Sequence, residues 1–383
     1  MAVQHLRKRE AAFLGVGCGR RPLGGWLIDR YGARRVILPA TVLFGSVLLL
    51  AKLLSASIWQ FYLFYLSLGL LLTAVGPVPY GTVVSHWFDR HRGLALGLMM
   101  FGIGLGAIIM PSVAQQLIAR FGWRNSYAIL GSAVLIISIP VVATILKEKP
   151  QDLGLLPDGS PPADYAAGKA GTSGLSGHVA RRSRTFWLMV CAFFLIGASV
   201  QGCVVHLVAL LTDRGVTLQT AALGSSLLGA AVLIGRVGTG YLLDRFFAPH
   251  LAAILFGGAA VGIGLLWMSH ATAMALVGAF LIGLGLGAEL DIIAYLISRY
   301  FGLRSFGEIY GSAVSAFLLA GALGPLLMGA GFDLTGSYRT PLAAFFTLTV
   351  IATVLMTRMG PYRYHAHQPK GEEQIFGLSE ASS

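Results

Sequence analysis

The chain is 383 residues long, 56% of them hydrophobic and only 11% charged, with a mean hydropathy of +0.74. A soluble domain has no means of hiding that much apolar surface from water, so the composition describes a polytopic membrane protein. The net charge of +12, from 28 Lys and Arg against 16 Asp and Glu, is spread through short loops and gathers on no one face. That distribution suits membrane orientation and excludes nucleic acid as a partner.

Apolar runs able to cross about 30 Å of hydrocarbon as helices are expected near residues 11–28, 36–56, 60–84, 93–115, 126–146, 186–212, 219–243, 251–269, 273–297, 308–331 and 341–357. Barrel strands would be shorter and alternating. Between 147 and 185 lies a long polar segment with Pro150, Pro157, Pro161, Pro162 and a Gly/Ser run from Gly171 to Gly177, which reads as a flexible linker. It divides the chain into a helical half at 1–146, a linker at 147–185, a second half at 186–358 and a tail at 359–383. Cys18, Cys191 and Cys203 fall in apolar runs at no ligand spacing, so neither a metal site nor a disulfide framework is indicated.

Loop charge sets the expected orientation. Arg30, Arg34, Arg35, Arg90, Arg92, Lys147, Lys149, Arg181, Arg182, Arg184, Arg245, Arg299, Arg304, Arg358 and Arg363 fall on one side, which is therefore cytoplasmic, as are the linker and the C-terminus. The opposite loops hold chiefly Arg120, Arg124, Arg214 and Arg339.

A phrase occurs twice. Gly25-Trp-Leu-Ile-Asp29-Arg30-Tyr-Gly32 returns as Gly240-Tyr-Leu-Leu-Asp244-Arg245, each time after an apolar run. At similar offsets Arg21 matches Arg236, Phe88 matches Phe301, Gly93 matches Gly307, Gly97 matches Gly311 and Pro111 matches Pro325. The halves are copies of one unit. The second copy has six spans and the first five, so the first is expected to lack its opening helix. Arg7, Lys8 and Arg9 would then precede the first span on the side the charge rule disfavours, as in a chain begun inside a longer one. A signal peptide is the competing reading, but Arg20-Arg21 follow the run without a small-residue cleavage site.

Gly25-x-Leu27-x-Asp29-Arg30-x-Gly32-x-Arg34-Arg35, with its weaker copy at Gly240, Asp244 and Arg245, resembles the loop signature of the major facilitator superfamily. The resemblance covers about residues 11–358 and implies an all-α membrane fold of two pseudo-symmetric helical halves with a substrate site near the midplane. It also implies that Asp29 meets the helix starting near Gly307, and Asp244 the one near Gly93, as a gate. Phe246, Phe247 and Ala248 stand where the signature has Gly and basic residues, so the second contact is expected to be the weaker.

Further motifs are Trp87-Phe88-x-x-x-Arg92-Gly93-x-Ala95-x-Gly97, Gly122-Trp123-Arg124, Pro150-x-Asp152-x-Gly154-x-x-Pro157-Asp158-Gly159, Arg299-Tyr300-Phe301-Gly302, Gly321-x-x-Gly324-Pro325 and Phe332-Asp333-x-Thr335-Gly336-Ser337-Tyr338. Together they look like the bacterial monocarboxylate and oxalate:formate antiporter branch, which implies a bacterial inner membrane. Two positions depart from it. Val232 stands four residues before Arg236, where animal monocarboxylate carriers have aspartate, and residues 308–331 contain no lysine, where oxalate carriers have one.

Arg21 and Arg236 each lie eight residues before a loop aspartate, roughly 12 Å into the membrane at 1.5 Å per residue. Burying a cation there costs on the order of 3 kcal/mol unless it faces a wet cavity or a partner. Arg236 resembles the arginine with which the monocarboxylate branch holds a substrate carboxylate. A structural ion pair and a side chain snorkelling to the interface are the other readings. Glu289 and Asp291 are as costly and lie two apart, so at most one faces a central cavity squarely. Either is a candidate proton-coupling group, or else a helix-to-helix hydrogen bond. His206 lines the path or packs.

The glycine runs Gly15-x-Gly17-x-Gly19, Gly102-x-Gly104-x-Gly106 and Gly283-x-Gly285-x-Gly287 lie inside apolar helices with no preceding strand. They fit close helix packing and not a nucleotide fingerprint. No Walker motif, catalytic constellation or cofactor motif is present, so the chain is not expected to be an enzyme. The expectation is a monomeric secondary transporter of a small organic anion, working by alternating access in the bilayer. Proton symport is the first reading, exchange for a counter-anion the second, and a non-transporting or truncated membrane protein the third.

Overall fold

The computed structural model describes residues 23–55, 57–159, 174–269 and 271–362. Arg21, Cys18, Arg363, the first glycine run and the basic N-terminus lie outside them. The described chain is almost wholly helical, and by length and composition nine of its helices suffice to cross a membrane, with a shorter apolar helix at Arg92–Gly106.

The first half comprises α1 (Leu23–Tyr31), α2 (Ala33–Leu50), α3 (Ile58–Val75), α4 (Pro77–Trp87), α5 (Arg92–Ala133) and α6 (Ile139–Ile145). One residue, Gly32, separates α1 from α2, and its φ of 91° is open to glycine at little cost. The span expected at 60–84 is a broken helix. Gly76 is extended there and Pro77, which has no N–H to give, opens α4. The spans expected at 93–115 and 126–146 form one continuous assignment that reverses at Gly122, where φ is 73°, within the Gly-Trp-Arg turn. Before α6 the helix widens into a π turn, Val134–Ser138, next to Pro140, whose missing N–H removes one rung of the ladder.

Two 3-10 turns, Pro150–Leu153 and Pro157–Gly159, and α7 (Gly177–Arg182) carry the described parts of the linker. The second half follows as α8 (Arg184–Asp213), α9 (Leu218–Leu243), α10 (Ala248–Met268), α11 (Thr272–Phe301), α12 (Phe306–Thr335) and α13 (Arg339–Thr357). Helix α11 is its centre, packed on α9 and α10 and buried without interruption from Asp291 to Phe301.

The halves meet mainly along two helix pairs, α1 against α12 and α5 against α9. These pairs are equivalents under the internal duplication, since α1 and α9 end in the repeated aspartates while α5 and α12 begin at the matched glycines. Large apolar side chains such as Trp59, Leu66, Ile136, Ile254 and Leu326 point outward, as surface facing lipid tails requires.

Candidate functional site

At one end of the bundle each repeated aspartate caps a helix of the other half. Asp29 Oδ1 accepts from the Gly307 N–H at 2.8 Å and Oδ2 from the Glu308 N–H at 2.7 Å. Asp244 does the same at α5, accepting from Gly93 at 2.7 Å and Leu94 at 2.9 Å. A carboxylate there satisfies two N–H groups that the helix itself leaves open, and sits at the positive end of its dipole. The second contact was expected to be the weaker; its bonds match those of the first. The reason is that the cap needs only a carboxylate and a helix start, so Phe246, Phe247 and Ala248 beyond it take nothing away.

The surroundings of both carboxylates disfavour charge. One edge of Asp29 is open to solvent, yet crowding by helix ends pushes its carboxyl up to about 6, against two backbone hydrogen bonds that pull it down. Burial also raises Asp244, with the N–H groups of Leu94 and Gly93 opposing it.

Beside the caps lies an ionic cluster that sequence reasoning missed. Arg299, on α11, donates to the Asp89 carboxylate at 2.9 Å and to the Asp89 carbonyl at 2.7 Å, tying the second half to the α4–α5 turn. Arg92 reaches the same carboxylate at 3.2 Å. The linker joins in from both of its ends. Asp158 Oδ2 accepts from the Asp89 and Arg90 N–H groups, while Arg181 pairs with Glu308 at 2.6 Å. The i, i+3 spacing of Asp89 and Arg92 was the available signal; Arg92 and Arg299 stand in motifs and, with Arg181, among the orientation charges, but neither reading supplies their partners.

Deeper between the halves, Arg236 on α9 donates from Nη1 to the Met100 carbonyl of α5 at 2.7 Å. Its Nε is buried without an acceptor among the described residues. Glu289 and Asp291 on α11 are fully buried, their four carboxylate oxygens accept no hydrogen bond from the described residues, and the charge of Arg236 acts on both. The α9–α11 approach that brings them together depends on Gly287, where a Cβ would stand 2.3 Å from the Val232 carbonyl oxygen. The Tyr310 hydroxyl of α12 is likewise buried and unpartnered and lies in the field of Asp291. Tyr310 was not singled out from the sequence, because one tyrosine in an apolar helix reads as packing.

A separate cavity of about 320 Å³ in the first half is lined by Gly76, by Pro77 and Tyr80 of α4 and by Met99, Gly102 and Ile103 of α5; Arg236, Glu289 and Asp291 do not line it. Of the expected close-packing glycines, Gly283 and Gly287 meet a neighbouring backbone, whereas Gly102 and Gly106 face open space. Gly102 thus widens the cavity.

His206 is taken up within the second half. Its Nε2 stands 3.1 Å from the Pro325 carbonyl, which can only accept, so Nε2 carries the proton and Nδ1 accepts from the Tyr338 hydroxyl at 3.3 Å.

This arrangement can bind an anion at a forked cation between two halves and hold protons nearby. The described residues contain no group of three or more His, Cys, Asp or Glu placed to hold a metal.

Comparison with known proteins places the chain in a family. The family model of the Major Facilitator Superfamily matches residues 11–325. Monocarboxylate transporter 11 of Mus musculus is 28% identical over 343 residues, covering 86% of this chain and 73% of that protein. Monocarboxylate transporter 2 of Homo sapiens is 24% identical, covering 92% of this chain and 77% of that protein. Among solved structures, the proton:xylose symporter XylE superposes with a TM-score of 0.71 at 16% identity, covering 93% of this chain and 85% of that one; this likeness concerns the fold. A helical bundle built of two copies, joined by reciprocal caps and matched by this family model over most of its length, is a multi-pass membrane transporter and not an enzyme: the chain belongs to the Major Facilitator Superfamily.

Proposed function

We propose that the chain moves a small monocarboxylate-like anion across the membrane by alternating access, coupled to protons. The observation that carries this reading is Arg236. It spans the interface between the halves, keeps one guanidinium nitrogen unpaired, and stands in the field of two buried carboxylates. A planar fork of donors suits a carboxylate ligand. The names of the monocarboxylate transporter relatives point to the same substrate class.

Charge balance supplies the coupling. Buried charges are tolerated when balanced, and an uncompensated one costs several kcal/mol. Arg236 balances one of Glu289 and Asp291, and a proton balances the other. An arriving substrate carboxylate competes for Arg236, so it is accommodated when a further proton enters with it. Arg21 and His206 help to shape the path, and Asp29 and Asp244, with Gly25, Arg30, Gly32, Arg34, Gly240 and Arg245 around them, form the gate that closes one end.

That end faces the cytoplasm by its loop charge; the bacterial inner membrane and a monomeric state rest on the motif resemblance. The test is counterflow of labelled mono- and dicarboxylates in proteoliposomes, with and without a pH gradient. Monocarboxylate uptake driven by an inward proton gradient is expected. Indifference to every carboxylate overturns the substrate class, and uptake that requires a trans anion and ignores pH establishes exchange instead.

A further inference from the structure

Asp29 is engaged by α12, but the arginines of its signature are not explained by that cap. Arg34 and Arg35 at the start of α2, Arg30 at the end of α1, and Lys147 and Lys149 after α6 converge on one open groove of about 730 Å³. None of the five forms an ion pair with a described residue; the ion pairs among those residues lie elsewhere. Arg30 is held against Trp26 and Tyr31, 5.1 and 5.5 Å from their ring centres. Arg34 gives one nitrogen to the Ala143 carbonyl and keeps Nε buried and unpartnered.

Three carboxylates also border the groove, and their surroundings are accounted for. Asp29 caps α12, Asp152 accepts from the Lys149 N–H, and Glu148 lies against Gly32, where a Cβ would come within 2.3 Å of its oxygens. Five cations against three carboxylates leave a net positive cleft. It lies where apolar helices end, with Leu38 and Leu153 on its wall. Orienting a membrane protein requires loop cations on one side; it does not require them to be unpaired and gathered around one cavity.

We infer that this groove is a binding site for a phosphate-bearing anion. The size and the mixed lining fit the phosphate of a lipid headgroup whose tails lie along the adjoining helices, and the same cations suit a soluble phosphate. The site is separate from the Arg236 cluster, so the inference stands or falls independently of the substrate.

The experiment uses the full chain and two triple variants, Arg35→Gln/Lys147→Gln/Lys149→Gln in the groove and Arg182→Gln/Arg184→Gln/Arg304→Gln elsewhere. Each is titrated in one arm with phosphatidylglycerol and phosphatidylcholine, counting bound lipid by native mass spectrometry. In the other arm inorganic phosphate is added and protection against heat unfolding is measured. At about 1 kcal/mol per cation, the groove variant, which loses three, should bind phosphatidylglycerol about a hundredfold more weakly, with the control variant unchanged and phosphatidylcholine indifferent. If protection by inorganic phosphate is lost in the groove variant alone, the source is a soluble phosphate. If the groove triple unfolds, Arg35→Glu, at an exposed position, carries the same expectation. Equal behaviour of groove and control variants in both arms overturns the site.

Discussion

Arg236, Glu289 and Asp291 share a problem of solvation: a buried guanidinium nitrogen and four carboxylate oxygens have no partner among the described residues. Groups so placed are tolerated when they exchange protons and ligands as part of a working cycle. Arg236→Ala should lower uptake by more than about a hundredfold, because it removes the fork for the substrate carboxylate and leaves a buried carboxylate without its balancing charge, a change that costs about 3–5 kcal/mol, while membrane insertion persists. Arg236→Lys should restore little, since a point charge does not replace a fork. Glu289→Gln and Asp291→Asn separate roles. The one that removes the coupling proton should abolish accumulation driven by a pH gradient while leaving counterflow, and the other should leave both. These three residues were legible because Asp244 for Arg236, and Arg299 for Glu289 and Asp291, measure depth along a helix, and charge at that depth is costly. Tyr310 was not, since its position beside Asp291 comes from the docking of α12 on α11, which periodicity does not report. His206→Gln should cost less than Arg236→Ala, because an amide at that position can still donate to the Pro325 carbonyl.

The caps belong to the scale of the helix. Each joins a carboxylate to a helix N-terminus in the other half, an interaction worth up to about 2 kcal/mol when partly buried. Asp29→Ala and Asp244→Ala, which remove both acceptors, should each shift the molecule toward states open at that end, and the double variant further. Distances between spin labels on α1 and α12 would report it. The pH dependence has a definite sign. Asp29 titrates near 6 with the cap formed and in the ordinary carboxylate range when the cap opens, so capping takes up a proton. The capped state therefore gains as pH falls from about 6 toward 4, is steady above 6, and should lose this dependence in Asp29→Asn. Gly287→Val places a side chain against the Val232 backbone and should force α9 from α11, seen as a lower melting temperature. The first cap was readable as a motif. The strength of the second was not, because the residues after Asp244 suggested a decay that the geometry of the cap does not need.

At the scale of the molecule, hydropathy, loop charge and duplication outlined two helical halves around a linker, and the helices α2–α6 and α8–α13 follow the expected spans, while most of the span expected at 11–28 lies outside the described residues. Breaks inside spans, at Gly76 and in the π turn before Pro140, were not legible, since hydropathy averages over a window wider than one turn. The linker was read as flexible. Its described ends are tied down, through Asp158 to the α4–α5 turn and through Arg181 to Glu308, because a few charged side chains can anchor a segment whose composition is that of a loop. Asp158→Ala should therefore loosen that end of the bundle and increase proteolysis between 150 and 159.

The proposed cycle moves anion and proton together through Arg236. Its most direct test loads proteoliposomes bearing the full chain with a pH-sensitive dye and follows internal acidification while a labelled monocarboxylate enters. Proton influx that tracks anion uptake is expected in the wild type, with both lost in Arg236→Ala. Anion uptake without proton movement, or uptake undiminished in Arg236→Ala, would contradict it.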